Sequence, residues 1–536
     1  MKKRILAVIL TAAMLLTGCA DVNLGEYYDA LQAAVGSGEY VKFEDMQYER
    51  PQLAAVQQAL DAAVEASRTE DTDKILEAVY AFYDEYDWYF TCYSLADIHY
   101  CRDLTDLYWE EEYAYCVENS AQVDAALEEL NYALADSPKR EELEDEFFGQ
   151  GFFDSYDGEN LWDEAFTALM TQEAQLENRY YELLEQAPEY GYDPEAYYDA
   201  WADDAAQLLA ELVKVRKEIA AFWGYDNYAE YAGDVSYYRD YSVAEMQAYL
   251  KEIRTQLVPL YRELDGSDVW DAYYGYCTEA QTFDYVRKAA GNMGGTVEEA
   301  FDLMERAGLY DIEYGENKYG SSFEVYLTYY WEPFVFMNPG LIEYDKLTLA
   351  HEFGHFCCDY VSYGSYAGVD VLEVFSQGME YLSLCYGEDT ESLTKVKMAD
   401  SLCTYVEQAA FASFELALYE LPEEKLTAED IYALYEETVL GYGFGGSNFD
   451  RREFVDISHF FTEPLYIISY VVSNDAAMQL YQLEQERAGA GLDRFEENLD
   501  TEESYFLAFV QAAGLESPFA AGRLEKVRAT FEEVLQ

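Results

Sequence analysis

The sequence predicts a mainly α-helical protein built as two lobes. Over most of the 536-residue chain, apolar residues recur three and four positions apart, the spacing of helices that bury one face. The clearest β signal is in residues 323–337, which have the β-branched and aromatic composition of strands. Fifty-four tyrosines and an aromatic content of 17% indicate large buried layers. A helical chain of this length commonly forms one body split by a cleft, so we expect two lobes.

The N-terminus resembles the export signal of a bacterial lipoprotein. Basic residues 2–4 precede an apolar run, residues 5–16, which is too short to span a membrane. The run ends in LTGC, which resembles a lipobox and implies cleavage before Cys19 and a diacylglycerol on its sulfur. We therefore expect residues 1–18 to be a signal peptide and the mature protein to be extracytoplasmic, anchored by lipid to the bacterial cell membrane. An ordinary secretory signal followed by a chance cysteine is the alternative.

The N-terminal part of the mature chain is predicted to be helical and to carry no chemistry. Residues 51–220 include LAAVQQALDAAVEA and AQLLAELVKVRKEIAAF, both with helical apolar spacing. The one histidine here, His99, has no chelating neighbours, and we interpret it as structural. A break in the pattern between residues 200 and 240 indicates a boundary. We therefore predict an N-terminal helical lobe, residues 19–200, and a second lobe, residues 201–536, that holds the candidate site.

Two further elements are predicted before that site. Ser242 and Glu245 have the spacing of a capping box, which predicts a helix that ends near Glu263. The segment FEVYLTYYWEPFVFM, residues 323–337, predicts two short strands or a hairpin, with Pro333 in its middle.

The candidate chemistry begins in a helix predicted from about Tyr344. This helix contains TLAHEFGHF, which places His351 and His355 four residues apart on one face. An H-E-x-x-H helix is typical of zinc peptidases in which the glutamate is the general base. With four histidines in the whole chain, such a motif is rarely a coincidence. The sequence therefore predicts one Zn²⁺ per chain on His351 and His355, with Glu352 as the base for a zinc-activated water.

A catalytic zinc ion usually takes three protein ligands, so a third one is required. Glu373, in the predicted helix LEVFSQGMEYLSL, is a better candidate than Asp359 or Asp370. Glu380 follows Glu373 by seven residues and lies on the same helix face. It could orient a metal-binding histidine from behind, or it could be a glutamate at the rim of the core with no part in the site.

Neutral hydrogen-bond donors are predicted near the C-terminus. His459 precedes Tyr466 by seven residues and Tyr470 by eleven. Amide hydrolysis develops an oxyanion that such donors stabilise, and His459 is the main candidate for this role. Each tyrosine could equally pack in the core. The glycine-rich residues 441–447 lack the G-K-[ST] ending of a phosphate loop, so they form either a mobile loop over the cleft or a linker.

Charge and cysteine content exclude several classes of protein. A net charge of −74 excludes nucleic acid as a partner and argues against anionic lipid surfaces. A solvated surface explains this charge most simply, and a preference for basic or neutral peptides is the alternative. The absence of C-x-x-C spacing argues against a cysteine zinc site. Cys92 and Cys101 could pair outside the cell, and we interpret Cys357 and Cys358 as core residues.

Taken in order, TLAHEFGH, LEVFSQGMEYL and SHFFTEPLYIISY resemble the oligoendopeptidase F and thimet oligopeptidase family of zinc metallopeptidases. GYDNYAEYAGDVSYYRD and the strand-like segment ending in PFVFMN resemble stretches that precede the zinc helix in that family. The resemblance covers roughly residues 195–515. It implies a zincin-like, two-lobed helical fold with a deep substrate channel and a small edge β-sheet that binds substrate backbone.

The resemblance also implies an activity and a set of site residues. Short peptides would be the substrates, because folded proteins do not enter the channel of such enzymes. Zinc would be bound by His351, His355 and Glu373, with Glu352 as the base. The residues that stabilise the tetrahedral intermediate would then be His459, Tyr466 and Tyr470.

Three departures from the family pattern keep alternatives open. The link from His355 to Glu373 is shorter than usual, two cysteines follow His355, and Ile468 stands where a tyrosine is expected. The main prediction is a zinc-dependent oligopeptidase or endopeptidase. The shorter link leaves a non-catalytic peptide-binding lipoprotein as one alternative, and the P-L-Y segment after His459 leaves a dipeptidyl carboxypeptidase as another.

Overall fold

The computed structural model describes residues 40–156, 164–187, 194–264, 266–364, 367–445, 449–501 and 503–535. Within these ranges the chain is mostly helical with one small β-sheet, which confirms the predicted fold class. The predicted signal peptide, Cys19 and the end of the glycine-rich segment, residues 446–447, lie outside the described residues. In the described part of the chain, every helix is either too short or too polar to cross a membrane.

The N-terminal helices enclose a hydrophobic core of their own. They are α1 Leu53–Ser67, α2 Thr72–Arg102, α3 Leu107–Ala135 and α4 Arg140–Leu143, after a short 3-10 turn, Phe43–Asp45. A π-helical turn, Glu144–Phe148, and a 3-10 turn, Phe152–Tyr156, follow and add buried aromatic rings to this core. The helices lie where the apolar spacing predicted them. This smaller core ends at Tyr156, and the domain boundary near residue 200 stays a prediction.

A second, larger core is built mainly by the following helices, and Leu95, Ile98 and Cys101 of α2 also pack into it. The first of these helices are α5 Glu164–Gln186, α6 Pro194–Phe222, α7 Tyr228–Tyr231, α8 Val243–Gln256, α9 Val258–Tyr261, α10 Val269–Tyr273, α11 Glu279–Met293 and α12 Gly295–Ala307. The predicted capping box is present at the start of α8, where Ser242 and Glu245 each accept the other's backbone N–H. The prediction that this helix ends near Glu263 is wrong, because α8 stops at Gln256. Pro259 lies in the first turn of α9, where its missing N–H starts a new helix more readily than it continues one.

The β-sheet contains the predicted hairpin. Its strands are β1 Tyr310–Asp311, β2 Ser322–Leu327 and β3 Glu332–Met337, in the order β1-β3-β2. β2 and β3 are antiparallel, with Ser322 opposite Met337. β1 pairs in parallel only with Val335 and Phe336, so Pro333 lies on a part of β3 that β1 leaves as an edge, where a residue without an N–H is tolerated.

The C-terminal helices complete the larger core. They are α13 Asp345–Ser362, α14 Val369–Tyr386, α15 Glu391–Cys403, α16 Ala409–Glu420, α17 Ala428–Gly441, α18 His459–Thr462, α19 Ile468–Glu486, α20 Ala490–Glu496, α21 Phe506–Ala512 and α22 Arg523–Leu535. α13 packs against β2, β3 and α14, and α14 packs along α19. The segments that carry the candidate residues are therefore neighbours in the fold.

Candidate metal site

Helix α13 carries the two histidines of the HEFGH segment. It begins at Asp345, whose carboxylate accepts hydrogen bonds from the N–H groups of Gly340 and Ile342 at 3.1 and 3.0 Å. This acidic residue therefore fixes the loop ahead of the helix. His351 and His355 lie one turn apart, and their ring centroids are 5.1 Å from each other. Both rings can thus reach one point beside the helix.

Gly354 allows α14 to approach this part of α13 closely. A Cβ added to Gly354 would lie 2.5 Å from the carbonyl oxygen of Phe375 and 2.7 Å from the Cα of Ser376. Real side chains do not tolerate such distances to backbone atoms, so glycine is needed where the helices touch. The contact brings Glu373 of α14 beside the histidines, with its Oε2 3.5 Å from Nε2 of His351.

The side chains of His351, His355 and Glu373 form a group that fits a metal ion. One ligand atom from each residue lies within 4.8 Å of the other two. Two imidazoles and one carboxylate are a donor set of catalytic zinc sites. Ligand atoms about 2.1 Å from a shared tetrahedral ion lie about 3.4 Å apart, which is close to the 3.5 Å between His351 and Glu373. Among the residues that the structure describes, no other group of histidine, cysteine and carboxylate side chains meets this distance.

The two histidines have different protonation properties. Burial lowers the pKa of His355 to about 4, so its ring is neutral and able to bind a metal. Burial also acts to lower the pKa of His351, but the hydrogen bond with Glu380 and the charge of Glu373 outweigh burial and raise this pKa to about 9. A metal ion therefore competes with a proton for His351.

Glu380 lies behind His351, two turns along α14 from Glu373. Its Oε1 is 2.9 Å from Nδ1 of His351. A proton on Nδ1 that is donated to this carboxylate leaves the lone pair of Nε2 for a metal. Burial acts to raise the pKa of Glu380, but the charge of Lys397 and the hydrogen bond with His351 bring it below its ordinary value. The 2.9 Å distance favours the interpretation that Glu380 orients His351 over the alternative that Glu380 is a glutamate at the rim of the core.

Glu352 faces β2. The Oγ of Ser322 donates a hydrogen bond to Oε1 of Glu352 at 2.7 Å. Burial raises the pKa of Glu352, while His351 and the Ser322 hydrogen bond lower it part of the way. A carboxylate with a raised pKa and one fixed oxygen is suited to accept a proton through the other oxygen.

The structure also brings His459, Tyr466 and Tyr470 to the metal-binding group. The hydroxyl of Tyr466 donates to Oε1 of Glu373 at 3.1 Å, and the hydroxyl of Tyr470 lies 3.4 Å from Nε2 of His459. The carboxylate of Glu463 is also 3.4 Å from that nitrogen. Burial lowers the pKa of His459 and raises those of both tyrosines. All three side chains are therefore neutral near pH 7 and can donate hydrogen bonds.

Arg239 joins the turn that presents Tyr466 to the start of α14. Its guanidinium donates to the carbonyl oxygen of Leu465 at 2.9 Å and forms an ion pair with Asp370 at 3.3 Å. Leu465 has a φ of 65°, a left-handed conformation that tertiary contacts must hold in place. Asp370, a weaker ligand candidate, thus pairs with an arginine and lies outside the metal-binding group.

Other candidates from the sequence lie away from this group. His99 stacks on Trp109, with ring centroids 4.2 Å apart, and burial lowers its pKa to about 4. The suggested pairing of Cys92 with Cys101 is wrong, because both lie on α2 nine residues apart and neither forms a disulfide. Nine residues of helix separate them by about 13.5 Å, whereas a disulfide needs Cα atoms within about 7 Å.

Several residues of the site were missed by the sequence analysis. Ser322 and Lys397 contact Glu352 and Glu380 from other elements, and Arg239 holds the tyrosine-bearing turn. The Oγ of Ser376 donates to Oε2 of Glu373 at 2.9 Å, one turn along the same helix. Only this last contact has a local signal, since a serine three residues after a carboxylate lies on the same helix face.

Comparison with known families gives one sequence match. The family described as Peptidase M3 N-terminal domain matches residues 43–159. The described part of this range, residues 43–156, contains the smaller, N-terminal core, which lies outside the region of the motif resemblance. No curated protein matches the chain in sequence.

Solved structures share the fold over most of the chain. A structure described as an oligoendopeptidase F has a TM-score of 0.78 at 22% identity, covering 92% of this chain and 98% of its own. PZ peptidase A, solved with an inhibitor, has a TM-score of 0.78 at 19% identity, covering 92% and 99%. A structure described as an oligoendopeptidase F from Bacillus anthracis strain Ames has a TM-score of 0.73 at 20% identity, covering 93% and 98%. At these identities the likeness establishes the fold.

The sequence match and the shared fold agree with the motifs of the C-terminal half. The M3 match covers the N-terminal helices, the motifs lie in the larger core, and the structural likeness spans both. Together they support a peptidase. The resemblance indicated by the motifs is therefore confirmed: the N-terminal helices match the M3 peptidase N-terminal domain in sequence, and the chain shares the fold of oligoendopeptidase F structures.

Proposed function

We propose that this protein is a zinc-dependent oligopeptidase that hydrolyses short peptides. The observation that carries the proposal is the group formed by His351, His355 and Glu373, whose ligand atoms lie within 4.8 Å of one another. Glu352 lies beside this group on the same helix. Zinc bound there would polarise the scissile carbonyl and lower the pKa of a water molecule. The deep channel of the related fold is where a short peptide would bind.

In this proposal Glu352 is the general base. Ser322 occupies its Oε1, so Oε2 accepts the proton of the attacking water and later delivers it to the leaving nitrogen. Its position one residue after His351 keeps this oxygen beside the metal-binding group. A base held in this way typically contributes about 10²- to 10⁴-fold to the rate.

His459 and Tyr470 are proposed to stabilise the oxyanion, since their polar atoms lie 3.4 Å apart and both are neutral donors. Tyr466 has a different contact, because its hydroxyl donates to Glu373. We therefore propose that Tyr466 orients the third metal ligand, and that it reaches the oxyanion only if this hydrogen bond opens.

The local backbone supports a catalytic protein over a non-catalytic scaffold. The shorter link between His355 and Glu373 was the reason for the non-catalytic alternative. Tyr363 and Gly364, with φ values of 58° and 94°, end α13 in left-handed conformations that turn the chain within two residues. The carboxylate of Glu373 still lies 3.5 Å from His351, so the short link is compatible with a complete metal-binding group.

Zinc content and peptide hydrolysis test this proposal. We expect one zinc per purified chain, hydrolysis of short internally quenched peptides, loss of activity with a chelator and recovery with zinc. Glu352→Gln should keep the zinc and lose about 10²- to 10⁴-fold in kcat. Cleavage of peptides with an amidated C-terminus would support an endopeptidase over a dipeptidyl carboxypeptidase. A protein without zinc, or a fully active Glu352→Gln variant, would refute the proposal.

We also propose that the enzyme is tethered to the cell membrane by lipid on Cys19, which the N-terminal sequence supports. Mass spectrometry of the mature N-terminal peptide should show a diacylglycerol on this residue. Cys19→Ala should abolish the modification and release the protein from the membrane fraction. An unmodified N-terminus that begins at another residue would contradict the tether.

A further inference from the structure

Lys397 ends a chain of charged contacts that begins at the metal-binding group. It lies on α15 and is 3% exposed. Its Nζ is 2.7 Å from Oε2 of Glu380 and 3.6 Å from Oδ2 of Asp400. The other oxygen of Glu380, Oε1, is 2.9 Å from Nδ1 of His351. Both oxygens of this carboxylate are therefore occupied, one by the lysine and one by the histidine.

A lysine at this depth requires a physical reason. Lysine is rarely buried unless it is paired, because removing an ammonium group from water is costly. The nitrogen also lies 4.9 Å from the ring centroid of Tyr381, so an aromatic face and two carboxylates surround it. A hydrophobic residue would fill the same space on α15 at lower cost, unless the charge has a function.

We propose that Lys397 is a positioning residue for the metal site and acts through Glu380. By binding Oε2, it fixes the carboxylate in the orientation in which Oε1 accepts the proton of His351 Nδ1. The ring of His351 then keeps Nε2 directed toward Glu373. The inference rests on the proposed function only in that a metal occupies this group.

The orientation follows from the geometry of a carboxylate. The terminal torsion of a glutamate is broad, so a single hydrogen bond at Oε1 leaves the group free to rotate. A second fixed partner at Oε2 restricts this rotation and with it the ring of His351. Replacing a residue that directly contacts a metal-binding histidine typically weakens metal binding about 10- to 100-fold. Since Lys397 acts one contact further out, we expect about a tenfold effect.

The test compares the zinc dissociation constants of folded variants. Lys397→Met removes the charge and keeps the length, and it should weaken zinc binding about tenfold, measured by competition with a chromophoric chelator. It should also alter the visible absorption spectrum of the Co²⁺-substituted protein. Lys397→Arg restores a cationic donor and should recover most of the affinity.

Lys318 provides the matched control for a buried lysine. Its side chain is 6% exposed and pairs with Asp311 of β1 at 2.7 Å, and its other hydrogen-bond acceptors are the carbonyl oxygens of Glu313 and Met337. Lys318→Met should lower the thermal midpoint without changing the zinc dissociation constant. A purely structural role for Lys397 predicts the same behaviour for Lys397→Met.

A double-mutant cycle covers the case in which Lys397→Met does not fold. The double variant Lys397→Met/Glu380→Gln removes both members of the closest ion pair, so it should fold more readily than Lys397→Met, which leaves Glu380 without its cation. If the lysine acts only through Glu380, the double variant and Glu380→Gln bind zinc equally. A further loss in the double variant, or wild-type affinity in folded Lys397→Met, would overturn the inference. Wild-type protein that binds no zinc would overturn the proposed function as well, which separates the two failures.

Discussion

Replacing Gly354 by alanine tests whether the close contact of α13 with α14 builds the metal-binding group. The new Cβ would lie 2.5 Å from the carbonyl oxygen of Phe375, 2.7 Å from the Cα of Ser376 and 3.0 Å from the Cβ of Met379. Two of these atoms belong to the backbone, so rotating a side chain cannot relieve the contact. The two helices must therefore separate by roughly 0.5–1 Å to reach ordinary van der Waals distances.

This separation is larger than a metal site tolerates. Zinc–ligand distances are held within about 0.2 Å, and His351 and Glu373 lie on the two helices that are forced apart. We expect Gly354→Ala to weaken zinc binding at least tenfold, or about 1.4 kcal/mol. Overpacking also lowers the free energy of unfolding by about 1–3 kcal/mol. The higher helix propensity of alanine offsets about 1 kcal/mol of this loss.

Gly291→Ala is the matched control. Gly291 lies within α11, and a Cβ there would meet nothing within 4 Å. This variant should gain about 0.5–1 kcal/mol in the free energy of unfolding and bind zinc like the wild type. Chelator competition and urea unfolding measure both quantities. A Gly354→Ala variant with wild-type zinc affinity and wild-type unfolding would show that helix contact does not position the ligands.

Three further predictions concern other parts of the molecule. Ser322→Ala frees Oε1 of Glu352 and should lower kcat about tenfold with little change in KM. Ser322→Thr keeps the hydroxyl and is the control. Steady-state kinetics in which Ser322→Ala and Ser322→Thr have equal kcat values would contradict the role of the Ser322 hydroxyl. Zinc at 100 times its dissociation constant should stabilise the metal-free protein by about 2.7 kcal/mol, and an unchanged thermal midpoint would contradict a folded-state metal site. Burial raises the pKa of Glu415 from 4.5 to about 8, although Leu465 N–H and two arginines act to lower it. Between these values the folded state holds a proton that the unfolded state has lost, so stability falls as pH rises through this window by up to about 1.4 kcal/mol per pH unit. In urea unfolding at several pH values, the free energy of unfolding of Glu415→Gln should lack this part of the dependence on pH.

Elements with local signals could be predicted from the sequence. The helices follow from apolar spacing, and the hairpin follows from a run of β-branched and aromatic residues. The spacing of His351 and His355 places both rings on one face of a helix whatever surrounds it. Thr427 and Asp430 have the three-residue spacing of a capping pair, and at the start of α17 the threonine hydroxyl accepts the Asp430 N–H. Each of these features depends on residues within one or two turns of one another.

Contacts between distant elements could not be predicted in this way. Ser322 reaches Glu352 from a strand, and Lys397 reaches Glu380 from the following helix. In the sequence, the segment TKVKMAD looks like a solvated helix face, because charge alone does not show that Lys397 is buried. Sequence patterns indicate which face of an element is apolar, but they do not indicate which residue of another element packs against that face.

The position of Glu373 depends on helix packing rather than on the length of the preceding loop. Arg239 holds the first turn of α14 through Asp370, and the Oγ of Ser473 on α19 donates to the carbonyl oxygen of Asp370 at 2.6 Å. One turn beyond Glu373, the backbone of α14 meets Gly354. Because α14 is held on both sides of the glutamate, residues can be removed from the loop between α13 and α14 without moving the carboxylate. Arg239 also holds the turn that presents Tyr466, so a shift of α14 would move the third metal ligand and its hydrogen-bond donor together.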